Sequence, residues 1–153
     1  MMAQTSNVDS SLTRELVITR VFDAPRSLVF KAWTQPEHMM RWWGPKGYTT
    51  PTCEMDVRAG GALQLCMRSS EGTDIWVRGV FREVVEPERL VFTAIDNGEI
   101  GSETVIAVTF EDLDGKTRLT MHQTFIKAET SRGAKEGWNS SLDRLEEFLS
   151  AVR

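Results

Sequence analysis

Histidine and cysteine are scarce in this chain, which contains two residues of each. This scarcity argues against clustered zinc or iron–sulfur ligation, and two cysteines cannot form the framework of a disulfide-rich scaffold. No glycine-rich loop of the kind that cradles phosphate groups is present either. The composition therefore predicts a protein with neither a metal nor a cofactor.

The chain also lacks an excess of positive charge and a long apolar stretch. Its net charge is −4 at pH 7 and its pI is about 5.3, so it lacks the basic surface typical of proteins that bind nucleic acid or anionic lipid. No segment approaches the roughly 20 apolar residues of a membrane span, and residues 1–13 lack the pattern of a secretory signal. We expect a cytoplasmic protein without nucleic-acid or membrane partners, and a disordered tail over residues 1–13.

What the chain does contain is a skewed set of large apolar side chains. Five Trp and seven Met contrast with a single Tyr. The length of 153 residues suits one domain, which we place at residues 14–153. A domain of this size buries roughly 68–70% of the surface of its unfolded chain, which is enough for a core without staples.

Hydrophobic periodicity predicts a strand, two short helices and then a run of further strands. Residues 15–22 alternate as a strand does. Apolar residues at helical spacing predict a helix over residues 25–34, and Pro36 begins a second helix that ends at Gly44-Pro45. From there to Phe125, short turn signals separate six strands that we expect to be antiparallel neighbours.

The C-terminal segment has the period of a long helix buried along one side. Its predicted buried stripe consists of Ala134, Trp138, Ser141, Leu142, Leu145, Leu149 and Val152. Gly133 and Gly137 each weaken a helix by about 1 kcal/mol. They also leave the helix thin near Trp138, which suggests that space is needed there.

Together these elements predict an α+β fold in which a seven-stranded antiparallel sheet curves around the C-terminal helix. The two short helices between strands 1 and 2 close one end. Strand parity places an apolar set on the concave face: Leu63, Leu65, Met67, Leu90, Phe92, Ile106, Val108, Phe110, Leu119, Met121, Gln123 and Phe125. Because such an interior is rarely filled completely, we expect a ligand-sized cavity between the sheet and the helix.

Several motifs follow one another along the chain. They are Ala24-Pro25, residues 29–34, Arg41-Trp42-Trp43-Gly44-Pro45, residues 56–61, residues 83–93, residues 117–120 and Gly137-Trp138. In this order they resemble the family of activator of heat-shock-protein-90 ATPase homologues, within the START-like (SRPBCC) helix-grip superfamily that includes the birch-pollen allergen. The resemblance implies a helix-grip fold. Its superfamily contains hydrophobic-ligand carriers, polyketide cyclases and aromatases, and chaperone-stimulating domains, so the fold alone does not select a function.

Large rings, thioethers and one amide on the predicted concave side are candidates for binding a ligand. The candidates are Trp42, Trp43, Leu65, Met67, Phe92, Val108, Met121, Gln123 and Trp138. The alternative is that they simply fill the core. Gln123 is the most informative, because a polar amide on an apolar face needs a partner from the protein or from a ligand.

The two cysteines lie on either side of the turn at residues 58–61. If Val57 pairs with Ala62, then Cys53 lies opposite Cys66, on the face away from Leu63. Directly opposed residues have Cα atoms about 4.5–5.5 Å apart, a spacing that a disulfide tolerates. A reducing cytoplasm favours two thiols instead.

The facing of Trp76 stays open in the sequence. Ile75 and Val77 are expected to face inward, which puts the intervening Trp76 on the outer face, whereas a bulge at Gly79 would reverse that assignment for part of the strand. An outward Trp76 would favour contact with a protein partner or a second copy of the chain.

The function that these patterns favour is binding of a hydrophobic or aromatic small molecule in the cavity. One alternative is a co-chaperone-like interaction module that stimulates a chaperone ATPase, and another is an enzyme of the polyketide cyclase or aromatase type. The enzyme needs an ionisable group inside the cavity. Since His38, His122, Glu54 and Asp56 are expected to be exposed or ion-paired, no catalytic residue is assigned. A homodimer is compatible with each alternative.

Overall fold

The computed structural model describes residues 14–152, so the tail predicted for residues 1–13 lies outside the described part. The helices are α1 (Arg26–Thr34), α2 (Pro36–Trp42) and α3 (Ala134–Val152). The strands are β1 (Glu15–Phe22), β2 (Thr49–Met55), β3 (Ala62–Arg68), β4 (Asp74–Val85), β5 (Arg89–Asp96), β6 (Thr104–Leu113) and β7 (Lys116–Phe125). Short 3-10 turns occur at Ile100–Ser102 and Ala128–Ser131.

Within residues 14–152 the strands form one seven-stranded sheet in the order β1-β7-β6-β5-β4-β3-β2. Every neighbouring pair is antiparallel, and the first strand closes onto the last, with Ile18 opposite Met121. The sheet curves around α3, while α1 and α2 lie between β1 and β2. The predicted α+β helix-grip fold is confirmed. None of the described helices is long and apolar enough to cross a membrane.

The buried stripe of α3 is close to the predicted one. Leu142, Leu145 and Leu149 are buried in the core. Phe148 is buried as well, because its ring packs against the His38 ring of α2 with centroids 5.2 Å apart. At the C-terminal end of the helix Val152 is 46% exposed, so the stripe ends one turn earlier than predicted.

Strand parity predicted the inner face of the sheet correctly. Every residue assigned to that face is buried except Met67, which is half-buried. Trp33 of α1 lies at the centre of the aromatic part of the core, with ring centroids 4.8 Å from Trp42 and 5.9 Å from Trp138. Edge-to-face and stacked contacts of this kind add roughly 0.5–1.5 kcal/mol per pair beyond the burial of apolar area.

The predicted pairing of the two cysteines was wrong. Cys53 lies opposite Leu65, and Thr52 lies opposite Cys66, so the register is shifted by one residue. The Asp56 amide donates to the Ala62 carbonyl at 2.9 Å, which brings Val57 into the turn and moves the pairing. A shift of one residue places the cysteines on opposite faces. Both are buried free thiols.

Trp76 lies on the outer face of β4. The strand does contain an irregularity, but not at Gly79, where the sequence analysis considered a bulge. The register shift falls between Phe81 and Glu83, beyond Gly79. Trp76 therefore keeps the parity opposite to buried Val77. Its ring is half-buried, and the Arg78 guanidinium carbon lies 5.5 Å from the ring centroid.

Candidate ligand-binding cavity

A cavity of about 320 Å³ lies between the concave face of the sheet and the first half of α3. This volume is at the lower end of the roughly 300–1,000 Å³ that small-molecule sites occupy. Strands β3 to β7 each contribute to its wall. The apolar part of the wall consists of Trp43, Met67, Val77, Ala94, Ile106, Phe125 and Trp138.

The cavity exists because α3 presents small residues to the sheet over its first two turns. Ala134, Gly137 and Ser141 line the cavity. A Cβ added at Gly137 would meet no atom within 4 Å, so no neighbouring side chain occupies the space that this glycine leaves. The thin helix predicted around Gly133 and Gly137 thus coincides with one wall of the cavity.

Trp138 is held in place on the cavity wall from two sides. Its ring stacks on Trp33 with an interplanar angle of 15°, and it meets Trp43 edge to face at 5.3 Å. Its indole Nε1 donates a hydrogen bond to Gln123 Oε1 at 2.9 Å. A ring fixed in this way presents a rigid flat surface to the cavity.

The amide of Gln123 has one end satisfied by the protein. Because an indole N–H can only donate, the Trp138 contact orients the Gln123 oxygen toward the ring. The amino group Nε2 then points away from that bond, and it has no partner within residues 14–152. The expected partner is therefore found for one end of the amide only.

Arg144 of α3 fixes the segment that carries Trp43. Its Nη1 donates to the carbonyls of Trp43, Gly44 and Pro45, at 3.2, 2.8 and 3.3 Å. These carbonyls follow the end of α2, where the Trp43 carbonyl also accepts from the Thr50 hydroxyl and the Pro45 carbonyl from the Tyr48 amide. Partial burial lowers the pKa of this arginine, whose guanidinium nevertheless stays charged. The sequence analysis did not single out this residue.

With the geometry established, the chain can be compared with known proteins. Residues 23–150 match the family described as Activator of Hsp90 ATPase homolog 1-like protein. The chain belongs to this family. Among curated proteins no significant match is found.

Solved structures of similar proteins agree with the family and the fold. A protein of Nitrosomonas europaea is 26% identical, with 94% of this chain and 97% of that chain covered and a TM-score of 0.81. An Arthrobacter aurescens protein is 26% identical over 90% and 87% of the two chains, with a TM-score of 0.82. The AHSA1 protein of Silicibacter pomeroyi is 26% identical over 91% and 99%, with a TM-score of 0.79. Family membership and the helix-grip fold together identify a START-like domain.

The structure divides the predicted ligand-binding residues of this family member into two groups. Trp43, Met67, Gln123 and Trp138 line the cavity. The others are almost completely buried in the core and do not reach the cavity: Trp42, Leu65, Phe92, Val108 and Met121. The core group lies where other side chains cover the inner face of the sheet. Trp42, for example, is held by a hydrogen bond from Nε1 to the Ala32 carbonyl of α1 at 2.9 Å.

Several polar residues on the cavity wall were not singled out from the sequence. They are Asp96, Ser102, Thr104, Thr130 and Arg132. Parity could have found two of them, because Asp96 continues the inward series of Phe92 and Ala94, and Thr104 precedes Ile106. Partial desolvation, together with the charge of Glu99, raises the pKa of the Asp96 carboxyl.

The ionisable residues considered for catalysis lie away from the cavity wall. His122 is exposed and bonds Glu15 at 2.7 Å, and Asp56 pairs with Arg58 at 2.8 Å. His38 is half-buried against Phe148, although it was expected to be exposed. Among the described residues no group of three or more His, Cys, Asp or Glu side chains is arranged to hold a metal ion.

Proposed function

We propose that the protein binds a small aromatic or apolar molecule in the cavity between the sheet and α3. The observation that carries this proposal is a cavity of about 320 Å³ with a largely apolar wall and small residues on its helix side. The rings of Trp43 and Trp138 suit a planar guest. The flexible thioether of Met67 adapts to guests of different outline.

Burial of the guest supplies the binding energy in this proposal. An aromatic guest that buries roughly 150–250 Å², as an aromatic side chain does, gains about 4–6 kcal/mol at about 25 cal/mol per Å². Because association also costs translational and rotational freedom, this gain is an upper limit, and burial alone gives a Kd no lower than about 40 µM. Hydrogen bonds to the wall would add to this affinity.

The test fills the cavity from the helix side. Since nothing lies within 4 Å of a Cβ at Gly137, the side chain in Gly137→Leu has room to extend into the cavity. In a protein-observed NMR titration with 2-methylnaphthalene, we expect the indole N–H resonance of Trp138 to shift in the wild type. The same resonance should not respond in Gly137→Leu.

The matched control is Gly137→Ala, which improves helix propensity as leucine does but leaves most of the cavity open. It should bind the probe as the wild type does. Native mass spectrometry of both variants adds a second readout, because a small molecule that co-purifies with the wild type should be lost only from Gly137→Leu. Equal binding of the probe by the two variants would show that the ligand site lies elsewhere.

A second candidate function is an enzyme of the cyclase or aromatase type, and the position of Asp96 favours it. Asp96 lines the cavity, and its pKa is raised by partial desolvation and by Glu99. A carboxyl of this kind is suited to exchange a proton with a bound substrate. If Asp96 is catalytic, wild type and Asp96→Asn should co-purify with compounds of different mass. Identical masses would argue for binding alone.

A further inference from the structure

The two edge strands of the sheet differ in how they are protected against pairing with another strand. A free strand edge presents unpaired N–H and C=O groups, and native proteins usually block it with a proline, a bulge or a charged side chain. Edge strand β2 contains Pro51 and the exposed Glu54. Its register is irregular between Thr49 and Thr52. Strand β2 is therefore a poor template for a further strand.

Edge strand β1 lacks these protections between its two ends. All eight of its residues pair with β7 without a break in register, and none of them is proline. The one charged side chain between the ends, Arg20, is turned toward α3, where its Nη1 donates to Asp143 Oδ1 at 2.7 Å. Strand β1 therefore presents an uninterrupted edge, which is a template for pairing with another chain.

The backbone groups on the free side of β1 belong to Val17, Thr19 and Val21. The Phe125 amide of β7 donates to the Arg14 carbonyl at 2.8 Å, and hydrogen-bonded residues alternate along an antiparallel pair. The even-numbered residues of β1 therefore bond β7, and the odd-numbered ones direct their N–H and C=O groups away from the sheet. Among the described residues, none bonds these groups of Val17, Thr19 and Val21.

The side chains of the same three residues lie on the outer face of the sheet, next to the open edge. Val17 is 60% exposed and Val21 is 50% exposed. Thr19 between them is exposed as well. Exposed β-branched side chains suit the surface of a sheet and pack against residues of a neighbouring strand. Both the backbone and the side chains of this edge thus fit a further β-strand.

The order of these residues is symmetric about Thr19, which fits β1 to a second copy of itself. In an antiparallel arrangement with Thr19 opposite Thr19 of the copy, Val17 lies opposite Val21 of the copy. Every open position then meets a side chain of its own kind, and each pair exchanges two backbone hydrogen bonds. On the inner face Arg20 lies opposite Ile18 of the copy, so no like charges meet within the paired segment.

We propose that two copies of the chain associate through their β1 edges, as an antiparallel pair with Thr19 on the twofold axis. The two sheets then form one continuous sheet. The pairing covers residues 16–22, because the chain bends at Asp23, and a segment of this length spans roughly 24 Å. Such a contact is small beside the roughly 1,200–2,000 Å² of stable interfaces. We therefore expect a reversible dimer with a Kd in the micromolar range.

The experiment changes the charge on the twofold axis. Thr19→Lys and Thr19→Glu each place two like charges directly opposite one another in the dimer, which destabilises a cross-strand pair. In sedimentation velocity from micromolar to millimolar protein, the wild type should dimerise with increasing concentration. Each variant alone should dimerise roughly tenfold more weakly or not at all. An equimolar mixture of the two should form the dimer again, because an ammonium group then faces a carboxylate.

The matched control is Thr109→Lys, the same substitution on the same row of the outer face. Thr19 lies opposite Thr120, and Thr120 lies opposite Thr109, so Thr109 is two strands away from the edge. This variant should dimerise as the wild type does. Equal weakening by Thr19→Lys and Thr109→Lys would mean that outer faces stack, and would overturn the inference.

Two other results would also overturn the pairing of β1 edges. One is a wild type that stays monomeric at every concentration. The other is a mixture of Thr19→Lys and Thr19→Glu that does not recover the dimer. The inference goes beyond the proposed function and does not depend on it, because sedimentation reports association of the chain whether or not the cavity binds a small molecule.

Discussion

The two halves of α3 meet the same concave sheet in different ways. In the second half Leu142, Leu145 and Leu149 are buried in the hydrophobic core, and none of them lines the cavity. In the first half Gly137 and Ser141 face the sheet, and a cavity of about 320 Å³ remains. The inner face of the sheet is predominantly apolar in both regions. The size of the helix side chains therefore decides whether the interior is core or cavity.

The largest effect is expected from a truncation in the filled half. Leu145 is completely buried, so Leu145→Ala should lower the free energy of unfolding by about 2–5 kcal/mol, since it removes apolar contacts and leaves a void. Met67→Ala on the cavity wall should cost clearly less, because Met67 already borders open space. Urea denaturation of both variants measures the difference. Equal costs would mean that the two halves are packed alike.

The next effect concerns the residue that holds the cavity wall in place. Arg144→Gln loses the fork of donors to three backbone carbonyls and should lower the free energy of unfolding by about 2 kcal/mol. Arg118→Gln is the control, because the pair of Arg118 with Glu111 is exposed and should contribute at most about 1 kcal/mol. Both are measured by urea denaturation. A cost as small as that of the control would show that Arg144 does not fix the wall.

Substitution by alanine should change the free energy of unfolding by a smaller amount, and with opposite signs, at the two glycines near the start of α3. Gly137→Ala should stabilise the protein by about 0.5–1 kcal/mol, because alanine is the better helix former and nothing obstructs its Cβ. Gly133 has a φ of +77°, so Gly133→Ala should destabilise by about 1 kcal/mol. Thermal unfolding of the two variants gives the signs. Destabilisation by Gly137→Ala would indicate that its Cβ meets an obstruction.

The smallest effect is electrostatic and lies at the polar edge of the cavity. The pKa of Asp96 is raised, mainly by desolvation and also by Glu99, so ionisation of this carboxyl opposes folding as the pH rises above its unfolded pKa. Asp96→Asn should therefore gain stability relative to the wild type at pH 7, and the gain should vanish near pH 3, below the unfolded pKa of about 3.9.

Asp74 provides the opposite case. Its hydrogen bond and ion pair with Arg68 lower its pKa, so Asp74→Asn should lose stability at pH 7 and approach the wild type as the pH falls. Urea denaturation of both variants at the two pH values measures the effect. The same pH dependence in the two variants would contradict these assignments.

Local patterns were sufficient to predict most of the fold. The alternation in residues 15–22 and the stripe through Leu142, Leu145 and Leu149 each depend on neighbours within one element. These patterns therefore predicted β1, α3 and the inner face of the sheet. The prediction that Cys53 lies opposite Cys66 was wrong because the register of the two strands depends on the backbone of one turn, where the Asp56 amide bonds the Ala62 carbonyl. A difference of one residue in a turn leaves almost no trace in composition or periodicity.

The candidate site was predictable only in part, for a related reason. The alternation of residues along a strand shows which face of the sheet a residue lies on. It does not show whether a helix side chain covers that residue or leaves it facing a cavity. Met121 and Gln123 share a face of β7, yet Met121 lies in the core and Gln123 on the cavity wall. Arg144 contacts a segment about a hundred positions earlier in the chain, and no local pattern marks such a contact.

The sequence by itself determined the order and type of the elements, the inward face of each strand and the thin stretch of helix near Gly137. These properties depend on side-chain periodicity and on backbone preference, which act within an element or between adjacent strands. The tertiary structure alone decided which inward residues face open space, which polar groups lack a partner and where Trp43 is held. Those properties depend on the space left between distant segments and on the hydrogen bonds that join them. They arise only when α3 packs against the sheet.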